Sequence, residues 1–193
     1  MPRAARNLRG PVDPRRAIID AAAQILADEG EVGLSVRRVA QQVGASTMVV
    51  YTHFGDKDGM IDAVLEHAFG GFAAALGGVS EADPWVHLRA LGYAYRGFAV
   101  ANPAAYRLLF GRLTPSRTIP ASAGRAFESL TTTIARCMSA LDRPARDIEP
   151  AAISVWAATH GFVSLELAGA CPPGDVGASF ERVLDFIEAG LRG

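Results

Sequence analysis

Side chains that could contact a polyanion are concentrated between residues 35 and 57, in the segment SVRRVAQQVGASTMVVYTHFGDK. Its hydroxyls, rings and basic groups suit hydrogen bonds to phosphates, and its methyl-bearing side chains suit contact with thymine. The candidate contact residues are Ser35, Arg37, Arg38, Ser46, Thr47, Met48, Tyr51, Thr52, His53 and Lys57.

Two short helices joined by a tight turn must position these side chains. Ser35 is a good N-cap for the first helix, and Gly44 ends it in a conformation that glycine readily adopts. Ser46 can cap a second helix, in which Val50 and Phe54 lie four residues apart on the inner face. This pattern predicts a helix-turn-helix whose second helix enters the major groove of DNA. The alternative is a generic helical hairpin without a DNA-binding role.

The segment resembles the DNA-binding domain of the TetR family of transcriptional regulators. The resemblance runs from about Arg15 to Leu65 and includes RRAIIDAAAQILADEG, LSVRRVAQQVGASTMVVYTHF and GDKDGMIDAVL. Its most distinctive part is the run from Tyr51 to Phe54, with Lys57 three residues further on. An operator-binding regulator is therefore expected.

The resemblance also implies roles for individual residues. Tyr51 and His53 are expected to contact phosphates, Thr47 and Met48 to face base edges, and Lys57 to meet the DNA backbone. Many relatives carry Lys or Arg and then Gly where this chain has Thr47 and Met48. The operator sequence is therefore left open.

The charge of the chain is unevenly distributed. The 193 residues carry a formal net charge of −1. Residues 1–12 are predicted to form a flexible basic arm, either a solvated tail or a segment that becomes ordered on DNA. Basic charge at one end suits a protein that docks on DNA with one face. Residues 1–16 contain one acidic residue, Asp13, and five basic residues: Arg3, Arg6, Arg9, Arg15 and Arg16.

Several classes of protein are disfavoured. The sequence has neither the apolar region of a signal peptide nor an apolar run long enough to span a membrane, so a cytoplasmic location is expected. Cys137 and Cys171 lack metal spacing and are expected to be free thiols. No nucleophile, metal or cofactor motif is recognisable, so neither an enzyme, a metal site nor a cofactor is predicted.

Proline, glycine and capping residues divide the chain into about nine helices, which predicts an all-α fold. We expect a three-helix DNA-binding domain over residues 13–58 and a helical ligand-binding and dimerisation domain over residues 59–193. A helix over 56–76 links them. The other predicted helices run from 14 to 29, 36 to 43, 47 to 54, 84 to 101, 103 to 110, 121 to 141, 148 to 169 and 176 to 192.

The last two helices predict a homodimer. Residues 151–169 contain one formally charged residue, Glu166, and a helix apolar nearly all round must be covered on several sides. The alternative is complete burial inside a monomer. A twofold dimer would present two DNA-binding heads to a palindromic operator, and the TetR resemblance implies the same arrangement. The expected interface residues are Val155, Val163, Phe180, Val183, Leu184 and Ile187.

The C-terminal half resembles the ligand domain of one TetR branch that is named for Trp, His and Gly, here Trp156, His160 and Gly161. His160 is either a core histidine bonded to a backbone carbonyl or a polar anchor beside an aromatic cavity. Aromatic and Met side chains at helical spacing could equally be plain core. The candidate cavity residues are Tyr95, Phe98, Tyr106, Phe110, Phe127, Met138, Trp156 and His160.

Together these features predict a dimeric repressor that a small, largely apolar effector releases from double-stranded DNA. The alternatives are an activator or co-repressed regulator and, in a different class, a helical small-molecule-binding protein without a DNA role.

Overall fold

The computed structural model describes residues 13–110, 120–144 and 147–193, and these ranges form nine α-helices with no strand. The predicted all-α fold is confirmed. The basic arm predicted for residues 1–12 lies outside the described residues. In chain order the helices are α1 (Pro14–Gly33), α2 (Val36–Val43), α3 (Thr47–Phe54), α4 (Lys57–Gly77), α5 (Pro84–Ala101), α6 (Pro103–Phe110), α7 (Ala121–Ser139), α8 (Ile148–Leu167) and α9 (Val176–Arg192).

Caps and glycines fix the ends of the first helices. Asp13 accepts a hydrogen bond from the backbone N–H of Arg15 at 3.0 Å, and Pro14 follows as the first helical residue. Gly30 breaks the axis of α1 with φ of 69°, and one further turn extends the helix beyond its predicted end at residue 29. Gly44 ends α2 in the left-handed conformation, with φ of 69°. The turn between α2 and α3 therefore forms as the sequence predicts.

The chain divides into two compact units at Leu65 and Glu66, whereas the sequence predicted a boundary after residue 58. Met60, Ile61 and Val64 explain the difference, because these apolar side chains at the start of α4 are buried and belong to the first unit. In this unit α1, α2 and α3 all contact one another, as expected of a three-helix DNA-binding fold.

Helix α5 is central to the second unit and contacts α6, α7, α8 and α9. Apolar residues from α4 to α9 form its core, and aromatic side chains fill much of the space between α4, α5 and α6. Helix α8 also packs against α7 and α9, so its neighbours within the chain account for part of its apolar surface.

The predicted interface residues of α8 and α9 lie mostly in the core of the single chain, which leaves them little surface for a partner. Phe180 and Val163 are fully buried within the protomer, and such side chains have no surface left to offer a partner. Val155, Leu184 and Ile187 are buried in the same core, and Val183 packs against it while remaining partly exposed.

The outward faces of α8 and α9 carry other apolar residues. Phe186 is 82% exposed and Leu165 is 54% exposed. Ala157 and Ala158 are also exposed. An apolar surface therefore exists on these helices, but it is offset from the stripe that the sequence periodicity indicated.

Candidate functional sites

Helix α3 presents its polar and flexible side chains to solvent. Val50 is the buried side chain of this helix, with 1% of its surface exposed, whereas Met48 is 70% exposed. Helix α3 thus packs one side against the protein and exposes the other, as a recognition helix must if it is to lie in a DNA groove. The exposed residues of α3 are Thr47, Met48, Tyr51, Thr52 and His53.

Three hydroxyls of this surface have local hydrogen-bond partners. Ser35 accepts from the backbone N–H of Arg38 at 3.3 Å, and Ser46 accepts from that of Val49 at 3.4 Å. Both serines therefore act as the predicted N-caps. The Thr52 hydroxyl donates to the carbonyl of Met48 at 2.8 Å, so it directs a methyl group and an acceptor oxygen outward.

The basic residues of the helix-turn-helix divide into two kinds. Arg37 is exposed, as the sequence predicted. The guanidinium of Arg38 instead forms a two-pronged ion pair with Glu29 and donates to the Gly33 carbonyl at 3.1 Å. Arg38 is therefore engaged within the protein, whereas the sequence predicted that it could reach a phosphate. The Arg38 hydrogen bond lowers the pKa of Glu29.

Lys57 also has a local partner. Its ammonium donates to the carbonyl of Glu31 at 2.6 Å. Replacing Lys57 would therefore disturb the end of α1 as well as remove a positive charge near the predicted DNA-binding surface. An ammonium group has three protons, so this bond leaves two for other acceptors.

The second unit contains a cavity of about 530 Å³, bounded by residues of α4, α5, α6, α7, α8 and α9. Apolar side chains make up most of its wall, which is typical of small-molecule sites. The described residues around it are Phe69, Phe72, Leu76, Leu88, Arg89, Leu91, Gly92, Tyr95, Leu109, Phe110, Ala123, Gly124, Ala126, Phe127, Leu130, Ile153, Val155, Trp156, Thr159, Leu184, Ile187 and Glu188.

The cavity includes only some of the side chains that the sequence proposed for it. Tyr95, Phe110, Phe127 and Trp156 line its wall. Four other candidates pack outside it, because they fill the protein core or lie behind the wall rather than facing the open space. These four are Phe98, Tyr106, Met138 and His160.

His160 belongs to a polar cluster next to the cavity. Its Nδ1 lies 2.8 Å from the Tyr106 hydroxyl and 3.0 Å from that of Tyr95, and the two hydroxyls are 3.2 Å apart. Its Nε2 lies 3.4 Å from the Ser164 hydroxyl, so its partners are side chains and not the backbone carbonyl considered from sequence. Burial lowers the pKa of His160 and raises that of Tyr95, which favours a neutral imidazole that accepts from a tyrosine.

Sequence reasoning missed Arg89, which lies in α5 at the cavity wall. Its guanidinium donates to Asp185 at 2.7 Å and to Glu181 at 2.8 Å, and Glu188 is 3.6 Å away. These hydrogen bonds raise its pKa, those to Asp185 most strongly. The spacing of the three acids along α9 was the available signal, because residues at i, i+4 and i+7 share one helix face and favour a cationic partner.

The described residues contain no group of three or more His, Cys, Asp or Glu side chains arranged to hold a metal ion. In the same parts of the chain, no helix combines the length and apolar character that crossing a bilayer requires. Cys137 and Cys171 are both free thiols, as predicted. Cys137 is fully buried, and burial raises its thiol pKa to about 11.

Similar proteins include curated regulators of Mycobacterium tuberculosis. The HTH-type transcriptional regulator Rv1816 is 31% identical over 107 residues, which cover 53% of this chain and 46% of that protein. This match thus spans about half the length of the relative. The uncharacterized HTH-type transcriptional regulator Rv0681 is 26% identical over 200 residues, covering 98% of this chain and 88% of that protein.

Solved structures share the fold across nearly the whole chain. A TetR-like transcriptional regulator from Rhodococcus sp. RHA1 superposes with a TM-score of 0.75 at 22% identity, covering 96% of this chain and 100% of its own. The transcriptional regulator FadR from Bacillus subtilis, in complex with stearoyl-CoA, gives a TM-score of 0.76 at 16% identity, covering 91% and 98% of the two chains.

Family models match both units of the chain. The model for bacterial regulatory proteins of the tetR family matches residues 18–64, which contain the helix-turn-helix. The model for the tetracyclin repressor-like C-terminal domain matches residues 88–187, just over half of the chain, including Trp156, His160 and Gly161. Helix α3 lies within the first match, and most of the cavity wall lies within the second. The chain therefore belongs to the TetR family of DNA-binding transcriptional regulators.

Proposed function

We propose that this regulator is a homodimeric repressor, which a small, largely apolar and uncharged effector releases from a palindromic operator. The observation that supports an effector site is the cavity of about 530 Å³ in the second unit. Protein interiors are normally close-packed, and an unfilled apolar volume costs contact energy. A cavity of this size therefore favours a ligand-binding role. A regulator of the chromosome would act in the cytoplasm.

The charged groups around the cavity favour an effector without a carboxylate. Arg89 is the cation among the described wall residues, and Asp185 and Glu181 already accept its hydrogen bonds. Together with Glu188, 3.6 Å away, these carboxylates outnumber the guanidinium three to one, so this part of the wall carries a net negative charge that would repel an anionic ligand. FadR is bound to stearoyl-CoA, whose stearoyl chain, though not its anionic CoA part, offers a precedent for a long apolar group in this fold.

Dimerisation would use the outward face of α8 and α9. Phe186 and Leu165 expose large apolar side chains there, and Ala157 and Ala158 are small enough to allow close helix approach. A second copy of the chain would cover this surface and carry a second α3. Two recognition helices related by a twofold axis read a palindromic sequence.

Effector and operator would then oppose each other by linkage. If the effector prefers a dimer whose recognition helices are wrongly spaced, each ligand weakens the binding of the other by the same factor. About 1.4 kcal/mol of coupling gives a tenfold change in affinity. Helix α4 is the candidate lever, since it begins in the first unit and ends in the second.

The test combines two measurements on the full chain. Genomic fragments retained by the purified protein are sequenced to obtain the operator, and N-phenyl-1-naphthylamine, an uncharged dye that fluoresces in apolar sites, probes the cavity. We expect saturable dye binding and weaker operator affinity at saturating dye. Tighter operator binding would instead indicate co-repression, and an absence of saturable binding would count against the effector site.

A further inference from the structure

We propose that Met48 and Thr52 form the base-reading pair of this regulator and that both recognise thymine methyl groups. The proposal rests on operator binding by α3. It begins with the chemistry of the helix, whose sequence TMVVYTHF contains no Arg, Lys, Asn, Gln, Asp or Glu. Those six side chains supply the standard hydrogen bonds to guanine, adenine and cytosine edges. Helix α3 therefore cannot form these standard hydrogen bonds to base edges.

The register of the helix shows which residues lie over the groove. At 3.6 residues per turn, successive side chains are about 100° apart, so the direction opposite Val50 falls midway between Met48 and Thr52. Val50 is the buried anchor of α3. Thr47, the base-facing residue that the family resemblance implies, lies about 120° from that direction. Thr47 thus lies on the flank of the helix. Thr52 replaces it as the residue that faces the bases together with Met48.

Both central side chains present methyl groups. Met48 is 70% exposed and ends in a methyl on a flexible thioether. The Thr52 hydroxyl donates to the Met48 carbonyl at 2.8 Å, which restricts rotation about the Cα–Cβ bond and leaves the γ-methyl as the other group at this exposed position. The C5 methyl of thymine is the apolar group on a major-groove base edge, and apolar side chains are its natural partners.

The spacing of the pair predicts the spacing of the thymines. Four residues along a helix correspond to about 6 Å. Base pairs along a strand are about 3.4 Å apart. A recognition helix that follows the groove would therefore contact methyl groups about two base pairs apart in each half-site.

Replacing thymine by deoxyuridine tests this directly, because it removes the methyl and keeps every hydrogen-bonding group. Duplexes enriched by the full-length protein from a random pool supply the probe. Each critical substitution should weaken binding about fourfold per half-site, the equivalent of one buried methyl group. Loss at two positions, about two base pairs apart, is expected.

Matched variants assign the methyl groups to residues. Thr52→Ser keeps the hydroxyl bond to Met48 and removes one methyl, so discrimination against deoxyuridine should disappear at one of the two positions. Met48→Ala should remove discrimination at the other. Thr47→Ser removes the same methyl from the flank of α3 and tests the competing assignment. Thr132→Ser, at an exposed position of α7, is the control that should behave as wild type.

The outcomes separate this proposal from operator binding itself. Sequence-specific enrichment with equal affinity for thymine and deoxyuridine duplexes would overturn methyl recognition and leave the regulator role intact. Discrimination lost in Thr47→Ser but retained in Thr52→Ser would overturn the assignment of the pair. Failure to enrich any sequence would overturn both proposals.

Discussion

Substitution of Ala126 by Leu should stabilise the protein, because the side chain at this position borders unfilled space. Ala126 is buried and lines the cavity of about 530 Å³. Leu adds three carbon atoms, and burying each contributes about 0.8 kcal/mol, which sets an upper limit of about 2.4 kcal/mol. For a chain of this length, that upper limit would raise the melting temperature by about 5–10 °C. Thermal unfolding followed by circular dichroism measures the shift.

Ala152→Leu is the matched control. Ala152 is fully buried in α8 and does not border the cavity, so the same side chain would have to force packed neighbours apart. Overpacking of this kind typically costs about 1–3 kcal/mol. The two variants should therefore shift the melting temperature in opposite directions. Equal destabilisation would refute the inference that the space around Ala126 is free.

The same pair separates stability from ligand binding. The Ala126→Leu side chain would occupy part of the site, so it should weaken N-phenyl-1-naphthylamine binding although the protein becomes more stable. Ala152→Leu should leave the dye affinity of the folded fraction unchanged. If dye affinity instead rises in Ala126→Leu and falls in Ala152→Leu, in parallel with stability, the dye binds elsewhere.

Three further predictions concern other parts of the molecule. Because burial lowers the pKa of His160, the unfolded chain takes up its proton first as the pH falls below about 6.5. The free energy of unfolding should then decrease by up to about 1.4 kcal/mol per pH unit, a slope that His160→Gln should remove in urea titrations. Phe186→Arg should shift the sedimenting species from dimer to monomer, whereas Val86→Arg, at an exposed apolar position of α5, should not. Tyr51→Phe should weaken specific and random duplexes alike by about 13- to 160-fold in fluorescence anisotropy, since one hydrogen bond to a charged phosphate is lost and the salt dependence is kept.

Local signals predicted the helices well. Asp13, Ser35 and Ser46 cap helices where the sequence placed them, and Gly44 ends α2 as expected. These features depend on a few neighbouring residues, so periodicity and capping chemistry are sufficient to locate them. The exposed face of α3 was predictable for the same reason, because its apolar spacing fixes the side that is buried.

Features that depend on packing were harder to predict. Phe180 and Val163 form an apolar stripe that suits either a subunit interface or a protomer core, and periodicity does not distinguish these partners. Likewise, Tyr106 and Phe110 are four residues apart in α6, yet only Phe110 borders the cavity. Arg38 and Glu29 form an ion pair although they are nine residues apart in the sequence. The pairing rules for helices cover only residues three or four positions apart.

The position of Arg89 makes the charge of the cavity wall sensitive to single substitutions. Three acids of α9 surround its guanidinium at the cavity wall. Loss of Asp185 alone would release one of its stronger hydrogen bonds and leave a donor beside an apolar space. A single codon change at this exposed position of α9 would thus make the cavity wall less acidic and leave the recognition helix untouched.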